Sequence, residues 1–291
     1  MRTGLASIAW TLWIAAPAQP FLDVLALSSY TSADRFAKQE VSANLPFSIG
    51  RSGDKVLFSP SVERWTASID RNDAFRTDDL LGFALPVAWL HTLAPDRWAL
   101  SLLGVARYMR VEHPDRADAQ LGGAVVVNRI MGPAFTWKFG VYANADAFGL
   151  FLMPLAGIDW RINAKHNLFG LLPGNFTYEH KPLQWLHWGA TFKAITTSFG
   201  TRDGDFRRVD ENSIRLYVDL YPLKTIVLRL EGGHTAFSQY QGGRLDPWSP
   251  AGSNERYVDL AIGDGAYVKV MLAFRVRLDG ERTTPGSEAG R

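Results

Sequence analysis

The chain has 291 residues, 47 % hydrophobic and 21 % charged, with 31 Lys and Arg against 29 Asp and Glu. A net charge of +2 without a basic block or stripe gives nucleic-acid binding no electrostatic support. The absence of cysteine excludes a disulfide framework and any thiolate-ligated metal, which leaves a soluble globule or a membrane barrel with ten Trp, nine Tyr and seventeen Phe.

Residues 1–18, MRTGLASIAWTLWIAAPA, have the layout of a secretory leader. Arg2 supplies the positive start, Leu5 to Ala15 the apolar stretch and Ala16-Pro17-Ala18 the cleavage site. Residues 1–18 are therefore expected to be a signal peptide, 19–278 the folded unit and 279–291 a disordered tail. No later run reaches the ~18 apolar residues of a membrane helix; the nearest, 80–94, contains Pro86 and His91.

Past the leader, alternation at period two marks twelve strands: 21–32, 40–49, 56–67, 80–89, 98–110, 120–130, 135–146, 150–162, 186–197, 214–221, 226–237 and 266–278. The last is the clearest. Val268, Val270, Leu272, Phe274, Val276 and Leu278 share one face, and Lys269, Arg275 and Arg277 lie on the other. Strands of ten to thirteen residues exceed the usual five or six of a soluble sheet and match the roughly 9–11 of a tilted strand in a bilayer.

Two patterns turn the strands into an antiparallel up-and-down transmembrane β-barrel. Connections at 50–55, 131–133 and 222–225 are short, whereas those at 68–78, 111–118, 198–213 and 238–265 are long and charged, the asymmetry of outer-membrane barrels. Trp89, Trp98, Trp137, Trp160 and Trp188 gather at the short-turn end as an aromatic girdle. Trp98 and Tyr108 stand ten residues apart on one face, roughly 33 Å of strand or ~24 Å of height at 45° tilt, against an apolar band of about 25 Å. The opposite faces carry Lys138, Asp159, Arg161, Lys193, Arg215, Tyr217, Asp219, Arg229, Glu231, Lys269 and Arg275. Facing lipid, a midplane Lys or Arg costs roughly 2–4 kcal/mol, so these side chains are expected to line the lumen.

The stretch 163–181 is the distinctive one. Trp160, Asn163, Lys165, Leu172-Pro173, Tyr178 and Lys181 form a strand, an Asn-x-Lys turn, an apolar-Leu-Pro step and a Tyr-x-x-Lys ending. This resembles an uncharacterised family of Gram-negative outer-membrane β-barrels, distantly akin to the MetA-type barrels of phenol-degradation operons. The resemblance implies the barrel fold and the outer membrane, with membrane lipids, lipopolysaccharide and the barrel-assembly machinery as partners, but no activity. The chain lacks the terminal aromatic residue of many outer-membrane proteins, which puts the insertion signal near Phe274. Parity decides the count: thirteen strands is unusual for a bacterial single-chain barrel, so 163–181 is read as a short periplasmic excursion and the barrel as twelve-stranded, with fourteen as the fallback.

Chemistry is sparse in the sequence. His166, His180 and His187 cluster near the short-turn end as interfacial residues, with no metal-ligand spacing. His234 and Ser238 are expected to share the outward face, where a lipid hydrolase would place its pair, but no third orienting group is evident. Asp203 and Asp205 lack the run of a calcium loop, and no phosphate loop, HExxH or GxSxG occurs. No catalytic, cofactor or metal residue is therefore assigned. The expected function is a non-enzymatic outer-membrane barrel, a narrow pore or binder for a small-molecule solute with a charged lumen. A lipid-modifying hydrolase and a structural or adhesion barrel are the alternatives.

Overall fold

The computed structural model describes residues 20–33, 35–49, 54–71, 74–111, 118–201, 205–244, 250, 256–261 and 264–278. The leader expected over 1–18 and the tail over 279–291 lie outside them. All regular structure among the described residues is strand: β1 (Phe21–Ser32), β2 (Phe36–Ala43), β3 (Leu45–Ile49), β4 (Asp54–Phe58), β5 (Ser61–Arg71), β6 (Ala74–Ala94), β7 (Trp98–Val111), β8 (Asp118–Gly132), β9 (Phe135–Asp146), β10 (Gly149–Arg161), β11 (His166–Leu172), β12 (Asn175–His180), β13 (Leu186–Gly200), β14 (Asp205–Leu223), β15 (Ile226–Arg244), β16 (Arg256–Ala261) and β17 (Ala266–Arg277).

Three breaks divide continuous staves. Asn44 separates β2 from β3, Ser59-Pro60 separates β4 from β5, and residues 262–265 separate β16 from β17. The seventeen strands therefore build fourteen staves, every neighbouring pair antiparallel. The ladder closes on itself where β1 meets β17, from Phe21↔Arg277 to Ser32↔Tyr267, while β1 also pairs β2 on its other edge. Closure leaves the sheet no free end strand.

Fourteen staves replace the expected twelve. The residues read as a periplasmic excursion are β11 and β12, a hairpin inserted in the wall between β10 and β13. At seven and six residues each is too short to span a bilayer, which hid them from a length criterion. They are stable because each bonds a full neighbour on its outer side. The charged stretches expected as loops are also largely ladder: β5 pairs β6 out to Arg71↔Ala74, and β14 pairs β15 out to Asp205↔Arg244.

The barrel has two unlike rims. The near rim carries both described chain ends, where Leu278 N donates to Pro20 O at 2.8 Å, the paired ends of β3 and β4 at Ile49 and Asp54, and the turns at 95–97, 133–134, 162–165, 181–185 and 224–225. The far rim carries the C-terminal ends of β1, β5, β7, β9, β13 and β15. Side chains alternate as the period-two pattern demands. Val268, Val270, Leu272 and Phe274 lie exposed on the outer wall, with Tyr267, Met271, Ala273 and Arg275 buried inside.

Candidate functional site: the barrel interior

The inner wall places every sequence-expected lumen residue on one surface. Lys138, Arg215, Tyr217, Asp219 and Arg275 are buried, and Asp159, Arg161, Lys193, Arg229, Glu231 and Lys269 are half-buried. Some pair across neighbouring strands, as Lys138 with Asp159 and Arg229 with Asp219, but the partners of Arg275 and Arg277 lie on strands far apart in the chain and were not legible in the sequence.

Near the near rim, two clamps cross the interior. Arg275 is fully buried, donates from Nε and Nη2 to both oxygens of Asp23 at 2.5 and 2.9 Å, and reaches Asp219 at 2.7 Å through Nη1. Asp219 also receives the Arg229 fork at 2.6 and 2.7 Å, so one carboxylate holds two guanidiniums. Phe21 lies 3.7 Å from the Arg275 guanidinium carbon and meets Phe169 of β11 edge-on at 6.1 Å. Arg277 forms a second fork with Glu179 of β12, which also accepts from Asn167 at 2.8 Å. Asp23, Glu179, Asn167 and Phe21 are functional-site members that sequence reasoning missed. Their signal was an inward parity on strands whose neighbours could not be known.

Towards the far rim the interior is aromatic. Tyr30, Phe36, Trp65, Leu80, Met109, Phe199, Val209, Tyr240 and Tyr267 form one buried cluster drawn from nine strands. Its edges are polar: Tyr240 Oη donates to Asp78 at 2.6 Å, Ser32 Oγ donates to Glu211 at 2.5 Å, and Arg215 stacks on Tyr267 at 3.9 Å. The far end of β13 turns inwards, so that Gly200 bridges Arg110 of β7 and Gln120 Nε2 of β8 donates to Ser198 O at 2.9 Å. Side chains thus cross the lumen at two levels.

Between these levels the lining divides lengthwise. Strands β7 to β11 contribute Leu103, Ala124, Val126, Tyr142, Met153, Leu155 and Leu171, an apolar half. Strands β2, β5, β14, β15 and β17 contribute Lys38 between Glu40 and Glu63 at 2.7 and 2.6 Å, Arg215 beside Glu231 at 3.6 Å, and Lys269 near Glu231 at 3.9 Å. Lys193 stands at the seam. Its register row runs through Asn175 to Leu171, directly into the apolar half, and no ion pair to it is present among the described residues. Lys138 and Asp159 pair at 2.7 Å on the apolar side, near the near rim.

The outer wall is a lipid-compatible surface. Trp98, Trp137, Trp160 and Trp188 are exposed near the near rim and Trp89 is half-buried there. Trp98 stacks under Arg129 at 4.6 Å, Phe135 meets Trp137 and Trp160, and Trp89 stacks on His91 at 5.1 Å. His166 and His180 stack at 4.3 Å on the same outer belt, beside Tyr178 and Trp188. His187 points inwards instead, 3.5 Å from Arg277 and 3.8 Å from Glu179. Among the described residues no three His, Asp or Glu converge as a metal site.

The expected sharing of a face by His234 and Ser238 is corrected by a bulge. The register of β15 slips against β14 between Ala236 and Gln239, and Phe237 takes φ 57°, 80 % exposed. One extra residue inverts the parity beyond it, so His234 stays on the outer wall while Ser238 is buried inside. Asp203 lies outside the described residues, and Asp205 opens β14.

A closed antiparallel wall, apolar outside and polar within, with aromatic residues belted at one rim, defines a transmembrane β-barrel. No protein-family model matches the chain, and no curated protein matches it. Among solved structures the chain is similar to the NanC porin, at 8 % identity and a TM-score of 0.38 over 87 % of this chain and 100 % of that one. It is also similar to the CymD monoaromatic hydrocarbon channel, at 8 % identity and 0.35 over 89 % of each chain, and to the siderophore receptor PirA from Pseudomonas aeruginosa, at 8 % and 0.24 over 90 % and 81 %. At these scores the barrel assignment rests on the closed ladder and the apolar wall.

Proposed function

We propose that the protein is a non-enzymatic barrel of the Gram-negative outer membrane that binds or passes a small amphiphilic molecule carrying an acidic group. The near rim, with its short turns and chain ends, faces the periplasm in this reading, and the far rim faces outwards into lipopolysaccharide. Delivery by a cleaved leader and the barrel-assembly machinery belongs to the same reading.

The observation that carries it is the lengthwise division of the lumen with Lys193 at the seam. A solute with an apolar body would lie against Met153, Leu155 and Leu171, and its carboxylate would meet the Lys193 ammonium. Lys38, Arg215, Arg229, Arg275 and Arg277 pair with carboxylates and hold the wall, whereas Lys193 has no ion pair among the described residues and is placed to meet a guest. The lipid-hydrolase alternative finds no support in the geometry, because His234 and Ser238 occupy opposite faces of β15.

Purified protein in vesicles, titrated with benzoate and with decanoate, tests the proposal by calorimetry and by planar-bilayer current. Saturable binding or flux, weakened at least tenfold in Lys193→Met, is expected. Equal response of the wild type and Lys193→Met, or no response to either acid, would remove this function.

A further inference from the structure

We infer that the barrel wall contains a lateral portal between the far halves of β10 and β13, above the tip of the β11–β12 hairpin, through which an apolar or amphiphilic solute passes between the lumen and the surrounding lipid. The inference deepens the proposed solute site by giving it a route of entry.

The ladder itself shows the opening. Strand β10 pairs β11 only from Ala156 to Arg161, and β13 pairs β12 only from Trp188 to Lys193. Residues 149–155 of β10 and 194–200 of β13 extend beyond the hairpin, and among the described residues no strand is laid between them.

Depth places this opening in hydrocarbon. Outward side chains on β10 run Trp160, Ile158, Ala156, Pro154, Leu152, Leu150, and the hairpin tip at Leu172 reaches only the register of Ala156. Four residues above Trp160 is roughly 13 Å of strand, or ~9 Å of height at 45° tilt, within an apolar band of about 25 Å. Among the described residues the upper part of the band is therefore open in the wall, and Leu152, 72 % exposed, stands on its edge.

In hydrocarbon a bare strand edge is costly, since no water satisfies its N–H and C=O groups. The two edges carry specific remedies. Arg161 N donates towards β9, to Ala134 O at 2.8 Å, so alternation turns the backbone of Pro154, Leu152 and Leu150 to the opening. Pro154 has no N–H to leave bare, and Leu150 bridges Pro250. Across the opening, Ala194 N donates to Gly174 O at 2.9 Å, Ser198 O accepts from Gln120 Nε2, and Gly200 bridges Arg110. The far end is closed by Ala147 N on Ser198 Oγ at 3.2 Å and by Phe148 against Phe206, so the opening is a bounded window and not a split. Behind it lie Met153, Leu155 and Leu171, the apolar half of the lumen, with Lys193 at its lower corner.

The cysteine-free chain allows single nitroxide labels at Met153→Cys (inner wall beside the window), Met271→Cys (inner wall of the closed β15–β17–β1 region) and Leu272→Cys (lipid face). Collision rates with dissolved oxygen, which concentrates in hydrocarbon, and with a water-soluble nickel chelate are measured in phosphatidylcholine vesicles. Oxygen access at 153 is expected to exceed that at 271 severalfold and to approach that at 272, with nickel access low. Oxygen access at 153 equal to that at 271, or nickel exceeding oxygen there, would overturn the portal. Should Met153→Cys fail to give a folded, heat-modifiable barrel, Leu155→Cys reads the same window. The labels report on the wall whether or not benzoate binds, so failure of the portal and failure of the solute site are separate results.

Discussion

Arg277 on β17 and Glu179 on β12 form a two-bond fork across the barrel interior, at 2.6 and 3.0 Å, although three strands separate them around the wall. The pair is a chord, so it braces the barrel against opening at the near rim. Removing one partner of a buried pair leaves a charge in a poorly solvated place, at a cost of about 3–5 kcal/mol. Arg277→Met should lower unfolding free energy in vesicles by that order, and Arg277→Met with Glu179→Gln should recover part of it. Urea titration followed by tryptophan fluorescence measures both; an unchanged midpoint for Arg277→Met would show that the chord carries nothing.

The faces of β17 predict opposite responses to charge. Leu272→Arg puts a guanidinium against lipid and should cost roughly 2–4 kcal/mol, whereas Lys269→Met, on the inner wall beside Glu231, should cost less. The same titration compares them. Equal penalties would mean that the outer wall is not facing lipid.

Phe199 and Trp65 both belong to the aromatic cluster near the far rim, and both are fully buried. Truncating either to Ala removes a large aromatic from a packed site, typically 3–5 kcal/mol. The double truncation should also raise single-channel conductance, because the rings occupy the lumen. A folded double variant with unaltered conductance would mean that ions are stopped elsewhere, with the near-rim clamps the next candidates.

Phe237 is held in the left-handed region, about 1–2 kcal/mol unfavourable for a residue with a β-carbon, while its ring is 80 % exposed. Phe237→Gly should therefore preserve or raise stability by about 1 kcal/mol. A clear loss on urea titration would show that the ring itself anchors the bulge, through lipid contact.

Legibility followed the range of the forces involved. The inward placement of Arg275 and the outward placement of Val270 could be read directly, since period-two alternation is local and lipid rejects charge. The exposure of Trp98, Trp137, Trp160 and Trp188 near the strand ends of one rim followed from the same alternation. The face of Ser238 could not, because one bulged residue at Phe237 inverts the alternation and nothing in the local sequence marks it.

The amino-acid sequence alone determined that this is an all-β, lipid-facing ribbon with its charges turned to one side, because that preference is settled residue by residue. Only the tertiary structure decided fourteen staves over twelve. A seven-residue and a six-residue strand survive through ladder bonds to β10 and β13, partners that no local pattern names. It also decided which charges meet: Arg275 reaches Asp23 over 252 residues of chain because closing the ladder makes the first and last strands neighbours.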